Sequence, residues 1–310
     1  MKPLSAAEIM GTWATLLLPI APDDSIDFER LAEVIDKMLA AGVDGIYSNG
    51  TACEFFTQTE SEYDRIHDLL AERCERARMP FQVGASHPSP QTMRERVRRA
   101  VVWKPSGIQV TLPDWVPVNN REAIRFLSSI AALADPIPLV LYNPPHAKRV
   151  LQPADLGALR QAVPALAGIK VVPGGDDWYA AMRLEAPGLS IFVPGHELAT
   201  GIRMGAAGSY SNVACLSPSG AAWWNRLMYS DPGRALEVEG RIQAFMKQHV
   251  LPFRLRHGVS NPALDKLLAT AGGWTAIGTR LRWPYDWVPE EEAIRLRPVV
   301  REMVPELFQV

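Results

Sequence analysis

The feature that most constrains this chain is its rhythm. Eight short apolar runs, Thr12–Leu18, Gly45–Asn49, Phe81–Ala85, Gly107–Leu112, Leu139–Asn143, Gly168–Val172, Leu189–Val193 and Gly208–Val213, are separated by longer segments of helical periodicity. Each run has the length of a strand, and several are apolar throughout, which suits parallel strands covered on both faces. Between them, Phe28, Leu31, Val34, Ile35, Met38 and Leu39 share one helical face, with Gly42 following as a stop. Thr59 and Glu62 have capping-box spacing ahead of Tyr63–Ala77. Ser89-Pro90 and Asn261-Pro262 each set a capping residue before a proline suited to a first helical turn. Strand–helix units repeated with short connections imply parallel strands and right-handed crossovers. Eight units close an α/β fold of the (βα)8 TIM-barrel type over residues 1–230. Residues 231–310 read as a C-terminal helical extension packed on that barrel, with helices expected at Arg234–His249, Pro262–Ala271 and Glu290–Leu307.

Charge and cysteine usage narrow the partners. A formal net charge of -2 over 310 residues, with no long basic run, argues against nucleic acid or an acidic membrane. The apolar stretch Ala14–Ala21 is short and broken by Pro19, so it reads as a buried first strand rather than a signal peptide. No run approaches the ~20 apolar residues of a membrane span. Cys53, Cys74 and Cys215 form no CxxC pair. Neither a disulfide framework nor a thiolate zinc site is expected, and a reducing cytoplasm fits best.

In a barrel of this type the active site gathers at the C-terminal ends of the strands. Lys170 stands there inside the apolar sequence Ala-Gly-Ile-Lys-Val-Val, one of only seven lysines in the chain. Partial desolvation in such a place lowers an amine's pKa and raises its nucleophilic fraction. Taken alone, a strand-end lysine is more often simply paired or solvated. Lys148, beside Arg149 in a loop, reads as a solvated charge. Tyr142 ends the strand Pro-Leu-Val-Leu-Tyr before Asn-Pro-Pro, where a phenol can move protons or merely complete the core. Gly50-Thr51-Ala52 offers a hydroxyl and a tight turn with backbone N–H groups suited to a carboxylate, or an ordinary βα turn. His87, His146 and His196-Glu197 lie on separate loops. Each is a candidate polar group of the pocket, His146 as an acid or base near neutral pH. Each has a plain alternative as a solvated, capping or helix-starting residue. Their spacing makes no metal site.

In order along the chain, these segments resemble the dihydrodipicolinate synthase / N-acetylneuraminate lyase family of class I aldolases, from Gly11 to about Ser219. Gly42-Val43-Asp44-Gly45 with Gly50-Thr51-Ala52-Cys53-Glu54 is similar to the family's GVDG and GTTGE segments. Tyr142-Asn143-Pro144-Pro145 resembles its YNxP motif, Gly168-Ile169-Lys170 its GIK motif, and Gly208–Asn212 its glycine-rich eighth strand. The resemblance implies that Lys170 forms an imine with pyruvate or another 2-oxo acid, with no cofactor or metal. It implies that Tyr142 moves protons, that Thr51 relays them, and that the Thr51–Ala52 turn holds the substrate carboxylate. Ser211 and Asn212 are further substrate-binding candidates with His146 and His196, and a homotetramer is the implied assembly. Three departures stand out. Ala52 replaces a hydroxyl residue, Pro113-Asp114-Trp115 lacks the tyrosine lent to a neighbouring subunit, and Ala147 stands where the synthase carries an arginine. The expectation is therefore an aldol-type lyase other than the synthase itself. A dehydratase of a sugar-derived 3-deoxy-2-oxo acid, or a barrel that binds an oxo acid without turnover, are the alternatives. A phosphate-binding barrel has no supporting loop pattern.

Overall fold

The apolar runs become short strands in the computed structural model, which describes residues 1–309. They are β1 (Gly11–Thr15), β2 (Gly45–Ser48), β3 (Phe81–Gly84), β4 (Gly107–Thr111), β5 (Leu139–Tyr142), β6 (Leu166–Lys170), β7 (Ser190–Phe192) and β8 (Gly208–Ser211). All pair in parallel, each with its neighbour in sequence, and β1 closes on β8. The expected TIM barrel is what the chain forms. Several strands stop before the apolar run does. Leu16–Leu18 stay fully buried beyond β1, covering the strand end.

The outer ring comprises α1 (Phe28–Ala40), α2 (Glu60–Ala77), α3 (Pro90–Val102), α4 (Asn120–Ala134), α5 (Pro153–Ala162), α6 (Asp176–Glu185), α7 (Leu198–Met204), α8 (Asn212–Leu216) and α9 (Pro218–Ser230). The Thr59–Glu62 capping box opens α2: the Glu62 N–H donates to Thr59 Oγ1 at 3.3 Å and the Thr59 N–H to Glu62 Oε2 at 2.9 Å. Gly42, at φ +74, follows the end of α1 as anticipated.

Beyond Asp231 lie α10 (Pro232–Phe245), α11 (Leu251–His257), α12 (Asn261–Gly272) and α13 (Glu290–Met303). Their ends differ from the sequence reading for identifiable reasons. Asp231 caps α10 by accepting from the Arg234 N–H, so the helix starts earlier. A π turn at Met246–Val250 carries the chain toward Pro252, which has no N–H to give. Asn261 does not cap α12, because its side chain accepts from Arg254 instead; the helix begins at Asn261 itself. Pro305 holds Val304 outside the helical region and ends α13 before Leu307. No helix is long and apolar enough to cross a membrane among the described residues.

Two apolar layers result. One lies between strands and helices; the other fills the barrel with Ile9, Trp13, Tyr47, Val140, Ala167, Phe192 and Tyr210. Ala167 and Lys170 both serve the interior side although they are three residues apart, which strict two-residue alternation forbids. The β5–β6 ladder shifts register at that point: Leu139 pairs with Leu166, but Val140 pairs with Gly168. The shift brings Lys170 into phase with the barrel interior.

Residues beyond α9 are bound closely to the barrel. A Cβ on Gly272 would fall 1.8 Å from the Leu216 carbonyl oxygen, so α12 rests directly on α8. The Trp274 indole donates to the Cys215 carbonyl at 2.8 Å, and Ser217 Oγ to that of Leu307 at 2.6 Å. Of the Trp223-Trp224 pair, Trp224 is buried and donates to the Ala235 carbonyl of α10, whereas Trp283 is exposed. Lys266 on α12 and Glu54 are both fully buried, with Nζ 2.5 Å from Oε1. Removing one partner leaves a buried charge uncompensated. Lys266→Ala should therefore lower unfolding stability by about 3–5 kcal/mol, read from urea denaturation midpoints.

Candidate active site

Sheet register sets the site. Thr111, Tyr142, Lys170 and Phe192 form one row across β4 to β7, so Tyr142 and Lys170 are immediate neighbours on adjacent strands. Beneath them lies an aromatic floor. Lys170 Nζ is 4.3 Å from the ring centre of Tyr142, 5.4 Å from that of Tyr210 and 5.6 Å from that of Tyr47. The Tyr47 and Tyr210 hydroxyls donate to Gln109 and Gln82, so they offer the lysine ring surface rather than oxygen. Burial pulls the Lys170 amine down to about 8 from its ordinary 10.5, against the opposing pull of Asp265 and Cys215.

Burial raises the Tyr142 phenol, and a hydrogen bond with the Thr51 side chain moderates that rise. Thr51 and Ala52 open a tight 3-10 turn, Thr51–Cys53, preceded by Gly50. Any Cβ on Gly50 would lie 2.4 Å from the Tyr47 phenol oxygen, which fixes glycine there. The first N–H consumed by the turn is that of Cys53, to the Gly50 carbonyl; those of Thr51 and Ala52 precede it at the turn's open end. Cys53 is buried and its thiol is pushed up to about 12, so it packs rather than reacts.

A cavity of about 330 Å³ opens beside this cluster. Its wall includes Thr51, Tyr142, His87 and His146, together with the apolar Phe55, Leu112, Pro113, Trp115 and Val118. Trp115 is 83% exposed at its rim. His87 also accepts the Ser89 N–H at 3.0 Å, so it shapes its loop while facing the cavity. Both cations on the wall are engaged. Lys148 donates to the Trp115 carbonyl at 2.7 Å, and Arg149 to the Val118 carbonyl at 2.8 Å and to Asp155 at 2.9 Å.

The other sequence candidates stand apart from that wall. Ser211 caps α8 by accepting the Ala214 N–H at 3.1 Å. Asn212 accepts the His196 N–H at 3.1 Å and donates to His196 Nδ1 at 2.9 Å, so these two hold each other. His196 and Glu197 belong to the short 3-10 turn that leads into α7. Among the described residues no three His, Cys, Asp or Glu side chains converge as metal ligands would.

Sequence reasoning missed two features. The aromatic floor was hidden because Tyr47 and Tyr210 read as ordinary strand residues until the barrel closes. Asp265 was hidden on α12, far along the chain; its charge acts on Lys170, and burial raises its own carboxyl to about 7. The one available signal was an adjacent Asp-Lys pair inside the apolar helix Pro262–Ala271.

Known proteins resemble this chain in sequence and in fold. A trans-O-hydroxybenzylidenepyruvate hydratase-aldolase of Pseudomonas aeruginosa is 25% identical over 93% of this chain and 90% of its own length. An N-acetylneuraminate lyase of Escherichia fergusonii is 25% identical over 67% of the chain and 70% of its own. Among solved structures, YagE of E. coli K12, described as a dihydrodipicolinic acid synthase family protein in complex with pyruvate, superposes with a TM-score of 0.83. It shares 20% identity and covers 95% of this chain and 98% of its own. The sequence profile of the Dihydrodipicolinate synthetase family matches residues 8–251, and the chain belongs to that family of Schiff-base lyases.

Proposed function

We propose that Lys170 condenses with pyruvate or a related 2-oxo acid and that the resulting imine drives aldol cleavage or condensation. The observation that carries this reading is the Lys170 amine, lowered to about 8 over an aromatic floor and set beside Tyr142. Its neutral form attacks the keto carbon; the carbonyl oxygen leaves as water, and the protonated imine withdraws electrons from the neighbouring carbon. Tyr142 moves protons between nitrogen, oxygen and carbon, with Thr51 as its relay. The Thr51 and Ala52 N–H groups hold the oxo-acid carboxylate, Ala52 supplying backbone only. Residues 1–230 are then the catalytic barrel, and 231–310 an extension that completes it.

The second substrate occupies the cavity. Its apolar wall and its two occupied cations favour an aldehyde with an arene or other apolar body over one bearing a carboxylate. The resemblance to a hydratase-aldolase of a benzylidenepyruvate supports the same choice. His146, on the cavity wall, is the group we assign to the aldehyde oxygen. It also keeps open a dehydration reading, in which it protonates a departing hydroxyl. Carbon–carbon against carbon–oxygen cleavage is decided by product analysis. The other sequence candidates, His196, Ser211 and Asn212, stay as candidates for contact with the oxo acid. A cytoplasmic homotetramer is the setting we infer, the location resting on three free, buried cysteines.

Four outcomes test this reading. Borohydride added with pyruvate should fix an adduct on Lys170, absent in Lys170→Ala, located by peptide mass spectrometry. Because the neutral amine is the reactive form, the trapping rate should climb as pH rises through about 8 and level off above it. No adduct with any 2-oxo acid, in folded protein, would leave only a non-catalytic binder. Tyr142→Phe should cut kcat by about 10²–10⁴-fold with little change in thermal midpoint. In condensations with pyruvate, aromatic aldehydes should show higher kcat/KM than carboxylated ones of similar size; the reverse order would refute the cavity assignment.

A further inference from the structure

We propose that Arg149 is a positioning residue for the second substrate: it clasps together the two loops that wall the cavity and thereby sets which aldehydes fit. The proposal rests on the reading above that the cavity receives the aldehyde. The walls come from neighbouring βα units, one from residues 112–118 between β4 and α4, the other from 143–149 between β5 and α5. Leu112, Pro113 and Val118 line the first; Pro144, His146 and Ala147 line the second. Among the described residues no backbone hydrogen bond joins these two segments, and Trp115 and Val116 at the tip of the first are exposed. What holds the walls at a fixed separation is therefore the set of side-chain bonds that cross between them.

Arg149 is fixed at both ends. Its backbone carbonyl accepts from Asn143 Nδ2 at 3.0 Å, and Asn143 Oδ1 accepts from the Leu151 N–H at 2.7 Å. Asn143 is buried and directly follows Tyr142, so the end of β5 sets where the Arg149 backbone lies. The guanidinium then crosses to the other wall. Nη1 donates to the Val118 carbonyl at 2.8 Å; Nη2 donates to the side-chain oxygen of Asn120, the first residue of α4, and to Asp155 of α5 at 2.9 Å. Asn120 closes the circuit by donating to Asp155 at 3.1 Å. Lys148 adds a tie nearer the tip, its N–H donating to Asp114 at 2.9 Å and its ammonium to the Trp115 carbonyl at 2.7 Å. The two ties are unequal. Lys148 is an exposed point charge on a flexible stem, whereas Arg149 is only 26% exposed and its planar fork fixes direction as well as distance. Lys170 and Tyr142 take their places from strand register instead, so loosening the clasp widens the aldehyde pocket and leaves imine formation alone.

The experiment compares wild type, Arg149→Met and Arg149→Lys in two assays: borohydride trapping with pyruvate, and condensation of pyruvate with benzaldehyde or acetaldehyde. Methionine keeps the stem and removes every donor. It should raise KM for benzaldehyde about ten-fold, because the walls are no longer pre-organised around the ring. The acetaldehyde KM and the pyruvate concentration for half-maximal trapping should stay at their wild-type values. Lysine, which reaches fewer acceptors at once, should recover part of the benzaldehyde affinity, and it carries the test if the methionine variant does not fold. An unchanged benzaldehyde KM overturns the proposal. So does an equal loss with both aldehydes and in trapping, the mark of general damage to the barrel. A wild type that traps no pyruvate overturns the Schiff-base reading, and one that traps it but prefers carboxylated aldehydes overturns the cavity assignment; both failures show before any Arg149 variant is compared.

Discussion

An amine that attacks a ketone near neutral pH has to lose part of its hydration without losing its way to the substrate, and the surroundings of Lys170 are organised around that requirement. Three tyrosine rings lie within 6 Å of its nitrogen. Aromatic faces attract an ammonium, which works against deprotonation. Burial works the other way and lowers the amine to about 8. The glutamines that accept from Tyr47 and Tyr210 are part of the same arrangement. With their hydroxyls engaged below, the rings exclude water from the lysine without offering it an acceptor. Closing the barrel is what brings Tyr47 of β2 and Tyr210 of β8 together into one floor; no local segment contains it.

The fold and the core of the site were legible for different reasons. Apolar runs alternating with amphipathic helices carry the barrel in their spacing, because strand and helix each bury a periodic face. Lys170, Tyr142 and Thr51 were singled out by their places at strand ends and by the motifs that resemble the family's; the structure sets Tyr142 beside Lys170 in the sheet and hydrogen-bonds it to Thr51. Asp265 escaped because its helix looks like packing material: apart from Lys266 beside it, the residues from Pro262 to Ala269 are apolar. His196 and Asn212 show what a linear reading leaves out. They read as independent candidates, while the structure spends each on the other. Helix ends were displaced wherever a cap was already engaged, as at Asn261, or a proline intervened, as at Pro305.

The buried Lys266–Glu54 pair ties these observations together. An ion pair in a dry interior is weak as a source of stability but intolerant of misplacement. Glu54 follows directly on the turn that presents Thr51 and Ala52, and it sits in a left-handed conformation at the end of that turn. Lys266 follows directly on Asp265. One contact therefore holds the turn carrying Thr51 and Ala52 against α12, joining segments far apart in the chain.

The ladder shift in β6 has a consequence for how chains of this architecture vary in length. Ala167 and Lys170 face the barrel only because one residue is absorbed between them. Losing or gaining a single residue between Leu166 and Lys170 would turn the amine toward the helices, keeping the strand while deleting its chemistry. Changes of length are thereby channelled into the loops that follow the strands, such as 143–152 along the cavity wall, where they reshape what the pocket admits and leave the reacting nitrogen in place.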